Sequence, residues 1–348
     1  MKTSHLLVST LAMLALDVFG GASVAYENPV YPHDSPDPTL WQDEAGNWYL
    51  ASSGHNVKTS RDLVRWQETP HAILSDADMA WVRRDWGEVW APDVIRIGEW
   101  YLAYLTFYRD GEHTAIYRFR SHCPTGPFQE PEMLVSSAGD QMREVIDAEV
   151  ATDPKDGTWL YFGHGDVRRV RLTDDGLKRA PGAKIEHVAG LSLGSPDDSG
   201  LNGWFANSTE GSYLYRRGDW WYLFVSEGNW MNDTYRLAVG RSRSLAGEFF
   251  DREGRPMKAG AATPVLSSGR DDEFFGPGHN GDVVVSPSGR TYVFYHCHWK
   301  GSPWYEYSVV WNQVYFPRPL MLQELLWTED GWPYFGNGGK PQKQCVFE

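Results

Sequence analysis

Five short stretches place a chemically useful side chain just ahead of an apolar, strand-like run. They are Asp37 in SPDPTLW, Asp93 in WAPDVIRI, Asp147 in VIDAEVAT, Glu210 in STEGSYLY and His279 in GPGHNGDVVV. An Asp beside a Pro is ordinary turn chemistry when it occurs once. Glutamate is not a favoured turn residue, so Glu210 asks for another explanation. Carboxylates gathered without phosphate-binding glycines, Ser-His-Asp spacing or a Cys cluster suit acid/base work on a neutral substrate. Hydrolysis of a glycosidic bond needs one carboxylic acid kept protonated for the leaving oxygen and a second, ionised, for water. A third nearby anion raises the pKa of the acid, because like charges disfavour its ionisation.

A chain that repeats a unit around an axis can bring residues this far apart in sequence to one place. A Gly, an aromatic within two or three residues and an apolar run recur as GNWYLASS, GEWYLAYL, GTWLYFGH, GDWWYLFVS and GRTYVFYH, starting at Gly46, Gly98, Gly157, Gly218 and Gly289. Each run follows a shorter strand-like segment (DPTLWQ, DVIRI, AEVAT, SYLYRR, DVVVS) and precedes another (VKTSRDLVRW, AIYRFRS, VRRVRLTDDG, LAVGRSRS, LMLQELLWTEDG). Gly-Asp between SYLYRR and WWYLFVS is a strong hairpin signal. Self-similar β units predict an all-β, five-bladed β-propeller. Its inner strands would open the five polar positions onto one mouth. No long amphipathic helix is expected between the units. No linker divides them, so residues 27–348 are expected to form one catalytic domain.

Composition agrees. The 348 residues include 17 Trp, 35 Gly and 21 Pro, a mixture suited to short strands and tight turns rather than helix bundles. The net charge of -14 disfavours nucleic acid and favours neutral partners such as sugars, whose apolar faces suit Trp and Tyr. At the N-terminus, Lys2 and His5 precede LLVSTLAMLAL, and Ser23-Val24-Ala25 offers small residues for cleavage. Residues 1–25 therefore read as a secretory signal, and the protein as secreted. No later apolar run reaches the roughly 18 residues that a membrane helix needs. Three cysteines, Cys123, Cys297 and Cys345, allow at most one disulfide. Nothing signals oligomerisation, and a monomer is expected.

Taken together, SPDPTL, VWAPDV, VID, TEGSYL, TYRLAVGRSRSLAGEF, GPGHN and LLWTEDGWP run in the order found in the arabinanase branch of glycoside hydrolase family 43, which the chain resembles over nearly all its mature length. The resemblance implies a five-bladed propeller that cleaves internal α-1,5-L-arabinofuranosyl bonds of arabinan, a plant cell-wall polysaccharide, with inversion. An exo-acting arabinofuranosidase or β-xylosidase, and a sugar-binding propeller without catalysis, are the alternatives. It implies Asp37 as general base, Glu210 as general acid and Asp147 as the residue that orients the acid and lifts its pKa. Inversion calls for Asp37 and Glu210 carboxyls about 6.5–9.5 Å apart. Trp90 is implied as an apolar wall for a furanose ring, or else as an inter-blade tryptophan. Asp93 is either a substrate contact or a turn residue. The chemistry needs no cofactor; His279 is implied to help hold calcium or another ion in the central channel.

Departures from the family pattern also stand out. Ala-Glu follows Asp147 where the family usually has Pro, so Glu149 is an extra acid on the same expected strand face. EGNWMND after Ser226 replaces a small-residue or cysteine-bearing loop expected to border the cleft. Its Trp230-Met-Asn-Asp is similar to the nucleophile motif of sucrose- and fructan-hydrolysing propellers, but lies in the fourth unit rather than the first. His296-Cys-His298 puts two imidazoles on one strand face, a zinc pair only if a third ligand joins them.

Overall fold

The computed structural model describes residues 23–109, 113–191, 208–302, 308–310, 313–315 and 317–348; the leader expected over residues 1–25 lies almost wholly outside them. Five antiparallel sheets follow one another along the chain. Blade I comprises Thr39–Gln42, Trp48–Ala51, Asn56–Ser60 and Gln67–Ala72; blade II, Glu88–Ile97, Trp100–Arg109, His113–Ser121 and Gln129–Ser136. Blade III comprises Glu149–Asp153, Gly157–Phe162, Val167–Arg171 and Glu186–Ala189; blade IV, Thr209–Arg217, Trp220–Glu227, Arg236–Ser242 and Thr263–Leu266. In blade V, Phe274–Gly278 and Val283–Val285 both pair with Thr291–Trp299, followed by Leu320–Trp327 and Pro333–Phe335. This is the five-bladed β-propeller expected from the repeat.

Aromatic and β-branched residues of the second strands, such as Phe107, Phe224 and Tyr295, are fully buried between neighbouring blades. The ends of the chain meet: Val24–Glu27 pairs antiparallel with Gln344–Phe347. Asn28 ties that pair to blade V, its side chain donating to the Leu322 carbonyl and accepting from the Leu322 amide. All three cysteines are free thiols, with Cys297 buried in the core. A ten-residue helix, Asp76–Asp85, joins blades I and II; Ser75 caps it by accepting from the Asp78 amide.

Two rings of hydrogen bonds lock each blade to the next around the axis. In the first, an inner-strand side chain of one blade accepts a backbone amide of the following blade. Thr39 takes Val94 at 3.1 Å, Asp93 takes Val150 at 2.8 Å, and Glu149 takes Leu214 at 3.0 Å. Tyr213 takes Val283 at 2.9 Å, and Asp282 closes the circle on Leu40 at 2.7 Å. Three of these five acceptors are carboxylates, Asp93 and Glu149 buried and Asp282 half-buried. Desolvation pushes Asp282 up to about 7, and pushes Asp93 and Glu149 well above the carboxylate range, with repulsion from Asp282 adding to Asp93 and from Asp93 adding to Glu149.

The second ring lies where a residue with left-handed backbone interrupts or just precedes each inner strand: Asp37, Ala91, Asp147, Gly211 and His279. In blades II and IV this residue forms a bulge in the ladder, and in blade V it lies between the two strand segments. The amide of each donates to the preceding blade. Ala91 reaches Ser53 Oγ, Asp147 reaches Thr106 Oγ1, His279 reaches Ser226 Oγ, and Asp37 reaches His296 Nδ1. The fifth, Gly211, reaches the carboxylate of Asp147 at 3.1 Å.

Candidate active site

The interrupted strands decide where the acids stand. Asp37 and Asp147 occupy the left-handed position itself, which Asp tolerates better than most residues because its short side chain bonds locally. Glu210 sits one residue before its own left-handed position, Gly211. A Cβ at Gly211 would lie 3.1 Å from His279 Cγ and 3.2 Å from Ser226 Oγ, so both the positive φ and the space require glycine.

Asp37 is surrounded by donors. Ser53 Oγ donates to its Oδ2 at 2.5 Å, while His279 Nδ1 lies 3.1 Å and an Arg318 guanidinium nitrogen 3.6 Å from its Oδ1. Burial alone would raise the pKa of Asp37, but His279 and Arg318 outweigh it and hold the carboxyl well below its usual range. His296 Nδ1 also lies 3.5 Å from Oδ1, yet it accepts the Asp37 amide and so carries no proton on that nitrogen. Burial and Arg318 keep His296 neutral, so it shapes the backbone of Asp37 without pairing with its charge.

The same Nδ1 of His279 also lies 3.9 Å from Asp147 Oδ2, so two acids face one ring nitrogen. Burial lowers its pKa, but Asp37 and Asp147 lift it to about 9, so it is an imidazolium at neutral pH. Asp147 moves the other way from Asp37. Burial dominates, His279 opposes it, Glu210 and Asp37 add to it, and the carboxyl is pushed up to about 7.

Glu210 is 5% exposed and both its oxygens are engaged. Tyr235 donates its hydroxyl to Oε1 at 2.7 Å. His164 Nε2 lies 3.3 Å from Oε2, and its Nδ1 lies 2.5 Å from Glu144 Oε2. Burial disfavours charge on His164, but Glu210 and Glu144 prevail and its pKa is raised.

The structure therefore brings Asp37, Asp147, Glu210 and His279 together. Trp90 stands half-buried in the blade II strand that precedes Ala91, stacked on Tyr108 at 4.2 Å with its indole donating to Glu88. Asp93 is elsewhere: buried, with Oδ2 on the Val150 amide in the axial ring. Glu149, the potential competitor of Asp147, is taken by the same ring. Calcium prefers oxygen ligands. Among the described residues no three His, Cys, Asp or Glu side chains converge as metal ligands, and His279 Nδ1 is committed to Asp37. The residues do not fit a protein-built ion site, and no step is derived through one.

Sequence reasoning missed Ser53, Glu144, His164, Tyr235 and Arg318. Tyr235 lay inside TYRLAVGRSRS, but nothing in that string says which residue faces an acid. His296 was visible as half of a His-Cys-His pair; its partner His298 turns instead to the Trp230 carbonyl at 2.8 Å. In the Trp-Met-Asn-Asp stretch, Asp233 faces Arg270 and Trp230 lies 4.6 Å beneath the Arg318 guanidinium. That stretch supplies a support for Arg318 rather than a nucleophile. Chemically, the site combines one carboxyl held ionised, Asp37, with a second, Asp147, that keeps its proton up to about 7 beside Glu210, an arrangement suited to acid/base cleavage.

The pattern of glycosyl hydrolases family 43 matches residues 26–333. The chain is 25% identical to the extracellular exo-α-(1→5)-L-arabinofuranosidase ArbA of Cellvibrio japonicus, over 94% of this chain and 92% of that protein. It is 24% identical to an extracellular endo-α-(1→5)-L-arabinanase of Bacillus subtilis, over 86% of this chain and 87% of the relative. Its fold superposes on an α-L-arabinanase of Cellvibrio cellulosa complexed with arabinohexaose at a TM-score of 0.71 and 22% identity, covering 89% of this chain and 98% of that one.

Proposed function

Because the chain belongs to glycosyl hydrolases family 43 and is a glycoside hydrolase, we propose that it cleaves α-1,5-L-arabinofuranosyl bonds of arabinan with inversion, cutting internal bonds. The observation that carries this reading is the contrast between two carboxyl environments. His279 and Arg318 keep Asp37 ionised, whereas Asp147, coupled to Glu210, holds a proton up to about 7.

In the proposed reaction Asp37 takes a proton from water as the oxygen attacks the anomeric carbon. Glu210 gives its proton to the departing glycosidic oxygen. Asp147 keeps a proton available to Glu210 and holds the adjacent backbone through Gly211. Trp90 offers a ring face to the furanose. Asp93 is assigned the inter-blade clamp in place of a sugar contact. Residues 27–348 form the catalytic domain of a secreted monomer, a reading supported by LLVSTLAMLAL and by the extracellular relatives.

An exo mode is the second reading, favoured by the exo-acting relative. Product analysis on debranched linear arabinan, with wild type beside Asp37→Ala and Glu210→Ala, tests both. Mixed oligomers early in the reaction, and losses of about 10²–10⁴-fold in the variants, are expected. One short product from the start would establish exo action. Failure of the wild type on arabinan, arabinosides and xylosides alike would overturn the catalytic reading. The anomeric form of the first product, followed by NMR, tests inversion.

A further inference from the structure

Beside Asp37, on the blade I side, lies a cavity of about 360 Å³. It is within the range of small-ligand sites, about 300–1,000 Å³. Ser53, which donates to Asp37, is part of its wall, so the cavity and the catalytic base share a residue.

Two polar groups in this wall make no hydrogen bond among the described residues. Lys58 is 5% exposed, and its ammonium lies 4.9 Å from the centroid of the Tyr31 ring. Asp34 and Glu68 act on it through their charge without a direct ion pair, the Glu68 carboxylate accepting the Tyr31 hydroxyl. His55 Nδ1 is buried with no hydrogen bond, and burial with Arg83 nearby keeps the ring neutral. An ammonium and an imidazole nitrogen that make no hydrogen bond in a largely buried wall gain from acceptors and donors that a ligand supplies.

From this geometry we infer that the cavity is a binding subsite for a further neutral sugar unit of the chain being cleaved. Lys58 and His55 would hydrogen-bond its hydroxyls. This rests on the arabinan-hydrolase reading above. A neutral polyol fits better than a uronate, because Asp34 and Glu68 in the same wall leave no net positive charge to hold a carboxylate.

The test uses linear arabino-oligosaccharides of increasing length on the full chain, wild type and Lys58→Met. In the wild type kcat/KM should rise with length until the cavity is filled. In Lys58→Met that rise should shrink by about tenfold, the loss of a charge-assisted hydrogen bond. Binding of the longest oligosaccharide to Glu210→Gln, with and without Lys58→Met, reads the same loss by calorimetry without turnover. Asn56→Ala, at the exposed rim, substitutes should Lys58→Met fail to fold. An identical length dependence in wild type and variants overturns the subsite. No cleavage of any arabinoside by wild type, with the calorimetric difference intact, overturns the activity instead.

Discussion

The Gly211 amide donates to Oδ2 of Asp147 at 3.1 Å, and Gly211 directly follows Glu210. At the other four positions of that ring the acceptor is a neutral side chain on the second strand of the preceding blade or, for Ser53, two residues beyond it. Only between blades III and IV does a site carboxylate act as the clamp. Moving Asp147 therefore moves the backbone that carries Glu210.

This separates two roles that one substitution would confuse. Asp147→Asn keeps an oxygen for the Gly211 amide but removes the ionisable group, whereas Asp147→Ala removes both. Both should lose activity, by about 10²-fold or more. The alanine variant should also lose about 1–3 kcal/mol of stability, from a buried amide left unpaired. Parallel thermal melts and kinetics check this; equal melting temperatures would mean that the clamp is not structural.

Tyr235 is fully buried and stacks parallel to His296, with its hydroxyl 2.7 Å from Glu210. Tyr235→Phe preserves the packing and removes one donor to the acid. The expected cost is about 10–100-fold in kcat, following the roughly 1.5–3 kcal/mol of a hydrogen bond to a charged group. Little change in KM should accompany it, because the bond acts on the acid and not on the sugar. Steady-state kinetics on arabino-oligosaccharides provide the check.

The blades were legible because their signal is local and repeated: Gly, aromatic, apolar run. The acids at Asp37, Asp147 and Glu210 were legible because they sit at the same place in that repeat. What surrounds them was not. Glu144, His164 and Arg318 reach the site from loops whose course depends on how blades pack, and no period announces them. Asp93 and Glu149 looked as available as Asp147, yet each lies two residues beyond the left-handed position. That shift turns them from the mouth into the axial ring. The fourth strand of every blade was also passed over; Gln67–Ala72 and Gln129–Ser136 are largely exposed and lack the apolar pattern.

His164 tests the electrostatics of the acid. Glu144 and Glu210 face its two ring nitrogens, Asp147 adds to their pull, and its pKa is raised. His164→Asn removes this titrating imidazole from beside Glu210, so the limb of the kcat/KM profile that it contributes above its ordinary pKa of 6.5 should move. An unmoved limb would leave His164 a packing residue only.

The axial ring predicts how stability depends on pH. Asp282 accepts the Leu40 amide from a half-buried position, and desolvation pushes its carboxyl up from 3.8 to about 7. A carboxyl with a raised folded-state pKa binds its proton more tightly in the native state. Its contribution is therefore present below the unfolded pKa and is lost as pH rises through about 7. Asp93 and Glu149 on the same axis act in the same direction, whereas Asp37, held low, acts in the opposite one. Asp282→Asn keeps an oxygen for Leu40 and removes one titration. Relative to wild type it should gain stability between pH 4 and pH 8, by at most about 4 kcal/mol for a shift of roughly three units. Denaturant melts of both proteins across that range measure the difference directly. A difference that stays constant with pH would mean that Asp282 is ionised throughout and that the ring carries its charge unaided.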